Sequence, residues 1–448
     1  MSELELRLHG ERVGLVTPVA RDRTRVNLTV DRDYRQSIVL SESFAALPGR
    51  APSDAVSNFL GGYVPEGNHR ARMAAKRRID KEDLFALLTE FGGSIAGALT
   101  LVPPGGAAGA SDGSALSDYS PLSDAELAAR LRQALVDSDQ GIPTDSRSTL
   151  PGYQPKVLVT RLGDAWASPH GAGHSTHILK PQVPARPHRL YDEHYSHLLA
   201  RQLGLSAYDS TVAAVEGVTF LAIERFDRTV RGNEVVLHHQ EDLAQALGLD
   251  WRNTDVKFQE PAWPDDPSRA TLARIAGALS ALPSAASVLE QWVRHIVYRL
   301  VIGDNDAHAK NVALLHSAGA SVAGASASSA SVTGAAVTGA AVTGLAPVYD
   351  AVPNLFQDGL ISWQLALAID GEFDHRRVSV ESLLAEVAGW KVMRVARAAD
   401  VVAETLRRVE SALDAVPVPR GASPGMAEQI RWNVSRLLAG DEIGERPR

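Results

Sequence analysis

Between residues 288 and 301, Val288, Leu289, Trp292, Val293, Ile296, Val297, Leu300 and Val301 recur at intervals of three and four. That period places them on one face of an α-helix, which must be buried against a core. The stripe stops at Gly303, and Asp304-Asn-Asp-Ala-His-Ala-Lys-Asn311 follows at once. A buried helix is a rigid support, so the pattern predicts that Asp306, His308, Lys310 and Asn311 are held in a fixed loop at its end. A second carboxylate closes the apolar, strand-like run Leu345-Ala-Pro-Val-Tyr-Asp350. An EF-hand reading of Asp304-x-Asp306-x-His308 fails, because its twelfth position is Leu315 and not a bidentate Glu.

The step from Asp306 to Asn311 is the spacing of the H-R-D-x-x-x-x-N loop of protein kinases. There the Asp accepts the substrate hydroxyl's proton and the Asn holds a magnesium ion on the ATP phosphates. Lipid kinases carry D-x-H-x-x-N, which Asp306, His308 and Asn311 fit equally. The motif therefore predicts phosphoryl transfer and leaves the acceptor open. A hard cation needs few protein oxygens beside phosphate and water, so Asn311 and Asp350 suffice as its ligands. His308 and Lys310 are expected to orient Asp306 or to balance γ-phosphate charge. Taken singly, Asp306 and Asp350 also read as helix or turn caps; together and in this order they favour the catalytic reading.

Lys+Arg 45 against Asp+Glu 53 gives a net charge of −8, which argues against a chain that coats nucleic acid or anionic membrane by itself. One basic run, Arg70-Ala-Arg-Met-Ala-Ala-Lys-Arg-Arg78, reads as a solvated helix face or, alternatively, as a DNA-phosphate contact. There is no Cys and no charged segment followed by an apolar one at the start, so a cytoplasmic protein is expected. Residues 317–344 contain Ser, Ala, Gly, Val and Thr only. They lack the Leu, Ile and Phe that favour membrane insertion and read as a flexible insertion, so no membrane association is expected.

With 448 residues and 45% hydrophobic content the chain can fill two or three lobes. Alternating strands and short helices occupy 1–103, and breaker-rich 104–123 reads as a linker. Strand-rich 124–235 reads as a small lobe with one helix, Tyr191 to Leu203. A mostly helical lobe fills 236–440, and 441–448 is a tail.

Four blocks, Thr149-Leu-Pro-Gly-Tyr-Gln-Pro-Lys156, Thr176-His-Ile-Leu-Lys180, Ile223-Glu-Arg-Phe-Asp-Arg228 and Gly303 to Asn311, resemble the signatures of HipA-type kinases. Leu237 to Gly248 is similar to a further block, and Phe59-Leu-Gly-Gly-Tyr-Val-Pro-Glu-Gly67 and Gly97-Ala-Leu99 resemble the family's N-terminal subdomain. The resemblance implies an α+β, bilobal protein-kinase-like fold, with a small β-rich N-terminal subdomain and a mostly helical C-terminal lobe. It implies a serine/threonine kinase using ATP and Mg2+, the toxin of a toxin–antitoxin pair, with aminoacyl-tRNA synthetases as associated targets. Its partner would be a HipB-like helix-turn-helix antitoxin, with operator DNA reached only through that complex. Lys180 would meet the α- and β-phosphates, paired with Glu193 or Asp192. Gly152, Gln154 and Lys156 would form the phosphate loop, and Glu224, Arg225 and Phe226 the adenine hinge. Asp227 would reach the ribose. Thr149 or Ser148 would be autophosphorylated, silencing the kinase. Two rivals remain: a small-molecule or lipid kinase, and a nucleotide-binding corepressor without turnover.

Overall fold

The computed structural model describes residues 3–35, 38–105, 118–137, 150, 154–231, 234–317, 342–357 and 362–447. In Leu4–Leu8 the apolar residues alternate with Glu5 and Arg7, so Leu4, Leu6 and Leu8 share one face and are buried. This strand lies between Glu11–Val19 and Leu99–Val102 in a five-stranded antiparallel sheet that continues through Asp22–Val30 to Gly49–Arg50. The helices Ser53–Gly61 and Leu84–Phe91 share its core through Phe59, Leu60, Leu84 and Leu87. Asp83 caps the second helix, its carboxylate accepting from the Ala86 N–H at 2.9 Å.

The basic run forms the helix Gly67–Arg77. Arg70 is buried, lies over the Trp251 ring at 4.8 Å and faces Glu82 at 3.6 Å. Arg77 sits over Phe91 at 5.7 Å and beside Glu90 at 3.8 Å. These two cations are therefore packing groups and not part of an open basic face.

A second antiparallel sheet has the order Ser210–Val215, Val218–Glu224, His177–Pro181, Val157–Leu162, Ala165–Pro169, Tyr119–Pro121. Its edge strand lies inside the expected linker 104–123. Tyr119 is buried and its hydroxyl accepts from the His174 N–H at 3.2 Å. A three-residue strand draws its stability from pairing, which no local composition announces.

The remainder is mostly helical. Ala285–Val301 packs against Leu272–Ser280, Val395–Ala415 and Met426–Leu438. The expected stripe is buried, apart from the half-buried Ile296, and His295, Tyr298 and Arg299 are buried as well. The expected tail also docks: Ile443 is buried and its N–H donates to Val378 O at 3.0 Å. Nor do the boundaries at 103 and 235 separate cores, since Val235, Leu237 and Trp251 pack into the N-terminal cluster. No helix of the described residues is long and apolar enough to cross a membrane.

The low-complexity run begins and ends in two paired strands, Ala313–Ser317 and Val342–Leu345, with Ser317 opposite Val342; residues 318–341 lie outside the described residues. Partners in an antiparallel pair are about 5 Å apart, close enough for a two-residue turn. Deleting 318–341 and joining the strands with Asn-Gly is therefore expected to keep activity. Stability in urea should be unchanged or raised by about 1–2 kcal/mol through the shorter loop. A deletion that unfolds the chain would show the run to be part of the core.

Candidate active site

The helix Ala285–Val301 ends at Gly303, whose φ of 72° reverses the chain. A Cβ there would lie 2.5 Å from the Phe356 ring, so the turn requires glycine. Arg299, on the helix's last turn, pairs with the buried Asp304. Its guanidinium also donates to Asn311 O at 2.7 Å and Tyr349 O at 2.8 Å. One buried cation thus ties the helix to both segments that carry expected site residues.

The loop closes on itself. His308 N–H donates to Asp306 O at 2.8 Å, and Asn311 Nδ2 donates to the same oxygen at 2.8 Å. This holds the Asn311 amide by its nitrogen and leaves Oδ1 without a hydrogen bond among the described residues. The Asp306 side chain is half exposed. The walls of the cleft still keep bulk water from part of the carboxylate, and with the nearby Asp350 they push its carboxyl up to about 6.

Asp350 follows the run from Leu345 in a left-handed conformation, φ 49°. Lys180, at the end of a central strand, donates to Asp350 Oδ1 and to Glu193 Oε1, both at 2.5 Å. Enclosure works against the Asp350 charge, but Lys180 holds its carboxyl well below the usual range. The choice between Glu193 and Asp192 is thereby decided. Asp192 points to the other side of its helix, where it accepts from Ser423 N and Oγ at 2.7 Å.

A cavity of about 270 Å³ gathers Gln154, Lys156, Lys180, Glu224 to Asp227, Asp306, His308, Lys310, Asn311 and Asp350. Burial and the neighbouring Lys180 lower the Lys156 ammonium to about 8. Phe226 is half buried, its ring 5.2 Å from that of Tyr349, and both line the cavity. Ser148, Thr149 and Gly152 lie outside the described residues.

Three expected roles are corrected and that of His308 is narrowed. Asp227 is not free for a ribose: it accepts from Arg225 Nε at 2.9 Å, Arg228 Nη1 at 2.9 Å and Gly97 N at 2.8 Å. Burial opposes its charge, yet the two arginines hold it ionised. The Arg225 side chain belongs to this cluster, and its N–H is taken by Thr176 O at 2.9 Å. Lys310 is bound to Glu66 at 3.1 Å and Asp242 at 3.2 Å, so its charge is already balanced. His308 is buried edge-on to Phe258 at 4.8 Å, and burial lowers it to about 3. It is uncharged at neutral pH and cannot offset phosphate, which leaves the orienting alternative, its Nε2 lying 3.8 Å from Asp306 Oδ1.

Glu66, Lys257 and Arg189 line the same cavity without having been expected there. Glu66 arrives from the N-terminal subdomain and meets Lys257 at 2.8 Å and Lys310 at 3.1 Å. Burial disfavours its charge, but the two lysines hold it at about 2. Its sequence signal was its place in the block Phe59 to Gly67, which carried no site role; Lys257 and Arg189 gave none.

The metal-ligating expectation fits this geometry. Among the described residues no group of three His, Cys, Asp or Glu side chains is placed to hold a cation. A carboxylate and an amide oxygen in one cleft suit a magnesium ion that takes its other ligands from phosphate and water.

Comparison with known families completes the picture. The HipA N-terminal domain matches residues 4–102, and the HipA-like C-terminal domain matches residues 148–414. This chain belongs to the HipA family. The serine/threonine-protein kinase toxin HipA of Shewanella oneidensis is 25% identical over 371 residues, covering 81% of this chain and 78% of that protein. A putative kinase of Sinorhizobium fredii, Y4mE, is 31% identical over 268 residues, 58% of this chain; the match spans only 60% of that relative's length. The HipA fold is shared throughout. The Shewanella oneidensis HipA chain, solved with HipB and operator DNA, superposes with a TM-score of 0.72 at 22% identity, covering 97% of this chain and 96% of that one.

Proposed function

We infer that this chain transfers the γ-phosphoryl group of Mg-ATP to a serine or threonine hydroxyl of a protein, as the toxin of a toxin–antitoxin pair. The observation that carries the reading is the joining of Asp306, Asn311, Asp350 and the Glu193-paired Lys180 around one cavity. Asp306 accepts the hydroxyl proton. A value near 6 leaves it ionised at neutral pH and a better base than an ordinary carboxylate. Lys180, fixed by Glu193, sets its ammonium where α- and β-phosphates would lie. Asn311 and Asp350 would hold the magnesium ion, whose contribution is to neutralise charge on the phosphate oxygens. Phe226 and Tyr349 offer an aromatic wall for the base.

The acceptor class is tested by offering labelled ATP to cell protein and, separately, to metabolite and lipid extracts. Label on Ser or Thr of protein supports the reading; label only in the extracts would replace it with a small-molecule or lipid kinase. An aminoacyl-tRNA synthetase is the first target to examine in the protein arm. The Shewanella oneidensis HipA was solved with HipB and operator DNA, which supports a HipB-like partner here, with DNA contacted through the complex.

Self-silencing is part of the same proposal. A phosphate on Thr149 or Ser148 would bring roughly −1.5 to −2 charge beside a loop meant for ATP phosphates. After incubation with Mg-ATP, mass spectrometry should find phosphate on Thr149 first and Ser148 second, and the double Ala variant should stay active longer. An active preparation with neither residue modified would remove this mechanism and leave the kinase reading intact.

A further inference from the structure

Most cations that line the cavity are already committed. Lys180 holds Glu193 and Asp350, Lys310 holds Glu66 and Asp242, Lys257 holds Glu66, and Arg225 holds Asp227. Arg189 differs. It is the first residue of the helix Arg189–Gln202, one turn ahead of Glu193 and on the same face, and its side chain reaches the cavity that Asp306 and Asp350 line. Among the described residues its guanidinium has no ion-pair partner, and Nε is buried without an acceptor. A buried N–H left unmade is costly, and an anion entering the cavity would satisfy it.

We propose that Arg189 is a further catalytic residue, a planar donor fork that closes on the γ-phosphoryl group as it moves from ATP to the acceptor. The inference rests on the kinase reading above. In the step, the bond from Pγ to the acceptor hydroxyl oxygen forms while the bond to the β,γ-bridging oxygen breaks. The electron pair leaves with ADP, and the hydroxyl proton passes to Asp306. Charge spreads over three equatorial oxygens, and a guanidinium can donate to two of them at once where an ammonium acts as a point charge. Lys180 serves the α- and β-phosphates from the strand side, so Arg189 supplies what the Lys310 charge, locked on Glu66 and Asp242, does not.

The test uses the full chain as wild type, Arg189→Gln and Arg189→Lys. It compares kcat, KM for ATP, and binding of Mg-ADP with and without aluminium fluoride, which mimics the phosphoryl group in flight. Arg189→Gln should lower kcat by about 10²-fold or more. It should bind Mg-ADP within about threefold of wild type and lose the tightening that aluminium fluoride produces, since only interactions specific to the transition state are removed. Arg189→Lys should recover part of both. A structural role would instead weaken all nucleotide states together and lower the melting temperature. Should Arg189→Gln fail to fold, the folded Lys variant decides: a kcat equal to wild type overturns the proposal. So does an Arg189→Gln enzyme with near-normal kcat and full aluminium fluoride tightening, and either result leaves the kinase reading standing. Wild-type protein that neither binds Mg-ATP nor transfers phosphate overturns both.

Discussion

Asp306→Asn is expected to lower kcat by about 10³-fold while leaving the melting temperature unchanged or higher. The loss follows from the role proposed for Asp306, since a general base contributes about 10²–10⁴-fold. The gain in stability follows from environment, because burial and the Asp350 charge disfavour the ionised Asp306 carboxyl and push it up to about 6. The sign of the pH dependence is fixed by the same shift. Between about pH 4 and 6 the folded protein binds the Asp306 proton more tightly than the unfolded chain, so this residue adds stability as pH falls. Under the proposed mechanism catalysis runs the other way, and kcat/KM should decline as pH drops through about 6, where Asp306 becomes protonated. The Asn variant should lose both dependences. Wild-type turnover in Asp306→Asn would sink the assignment of this loop.

Arg299→Met is expected to destabilise the protein by about 3–5 kcal/mol in urea, the range for removing one partner of a buried ion pair. Asp304 would be left fully enclosed without its counter-charge, and Asn311 O and Tyr349 O would each lose a donor. Adding Asp304→Asn should restore part of the stability, because the stranded charge is gone. It should not restore turnover, since the carbonyls flanking Asn311 and Asp350 remain unanchored. A single variant within about 1 kcal/mol of wild type would show that packing alone positions the loop.

The parts of the site that were legible in the sequence are those written in one short segment. Asp306 and Asn311 share a loop and a helix, so spacing alone placed them together, and Asp350 and Lys180 each end a readable strand-like run. Glu193 could not be separated from Asp192, because neighbours on a helix differ by about 100° of rotation and only the packed structure shows which one faces Lys180. Asp227 was misread for a different reason. Arg225 and Arg228 stand beside it in sequence, but adjacency alone does not show that both guanidiniums turn onto its carboxylate, and a further donor, the Gly97 N–H, lies 130 residues earlier. The same holds for Glu66 between Lys257 and Lys310, and for the edge strand Tyr119–Pro121, which exists only through pairing with Ala165–Pro169. Local chemistry could be read; long-range electrostatic closure could not.

The Glu66 contact also limits how the chain can be recombined. Exchanging the first hundred residues for those of another HipA protein would carry across more than a covering sheet, because Glu66 is the shared anion for two ammonium groups in the cleft wall. A donor with a neutral residue there would take from Lys257 and Lys310 the anion they share, with Asp242 left to balance Lys310. Chimeras at this junction should therefore be chosen by charge at position 66 before overall similarity, and a charge-reversed pair offers a way to make two such proteins refuse each other's halves.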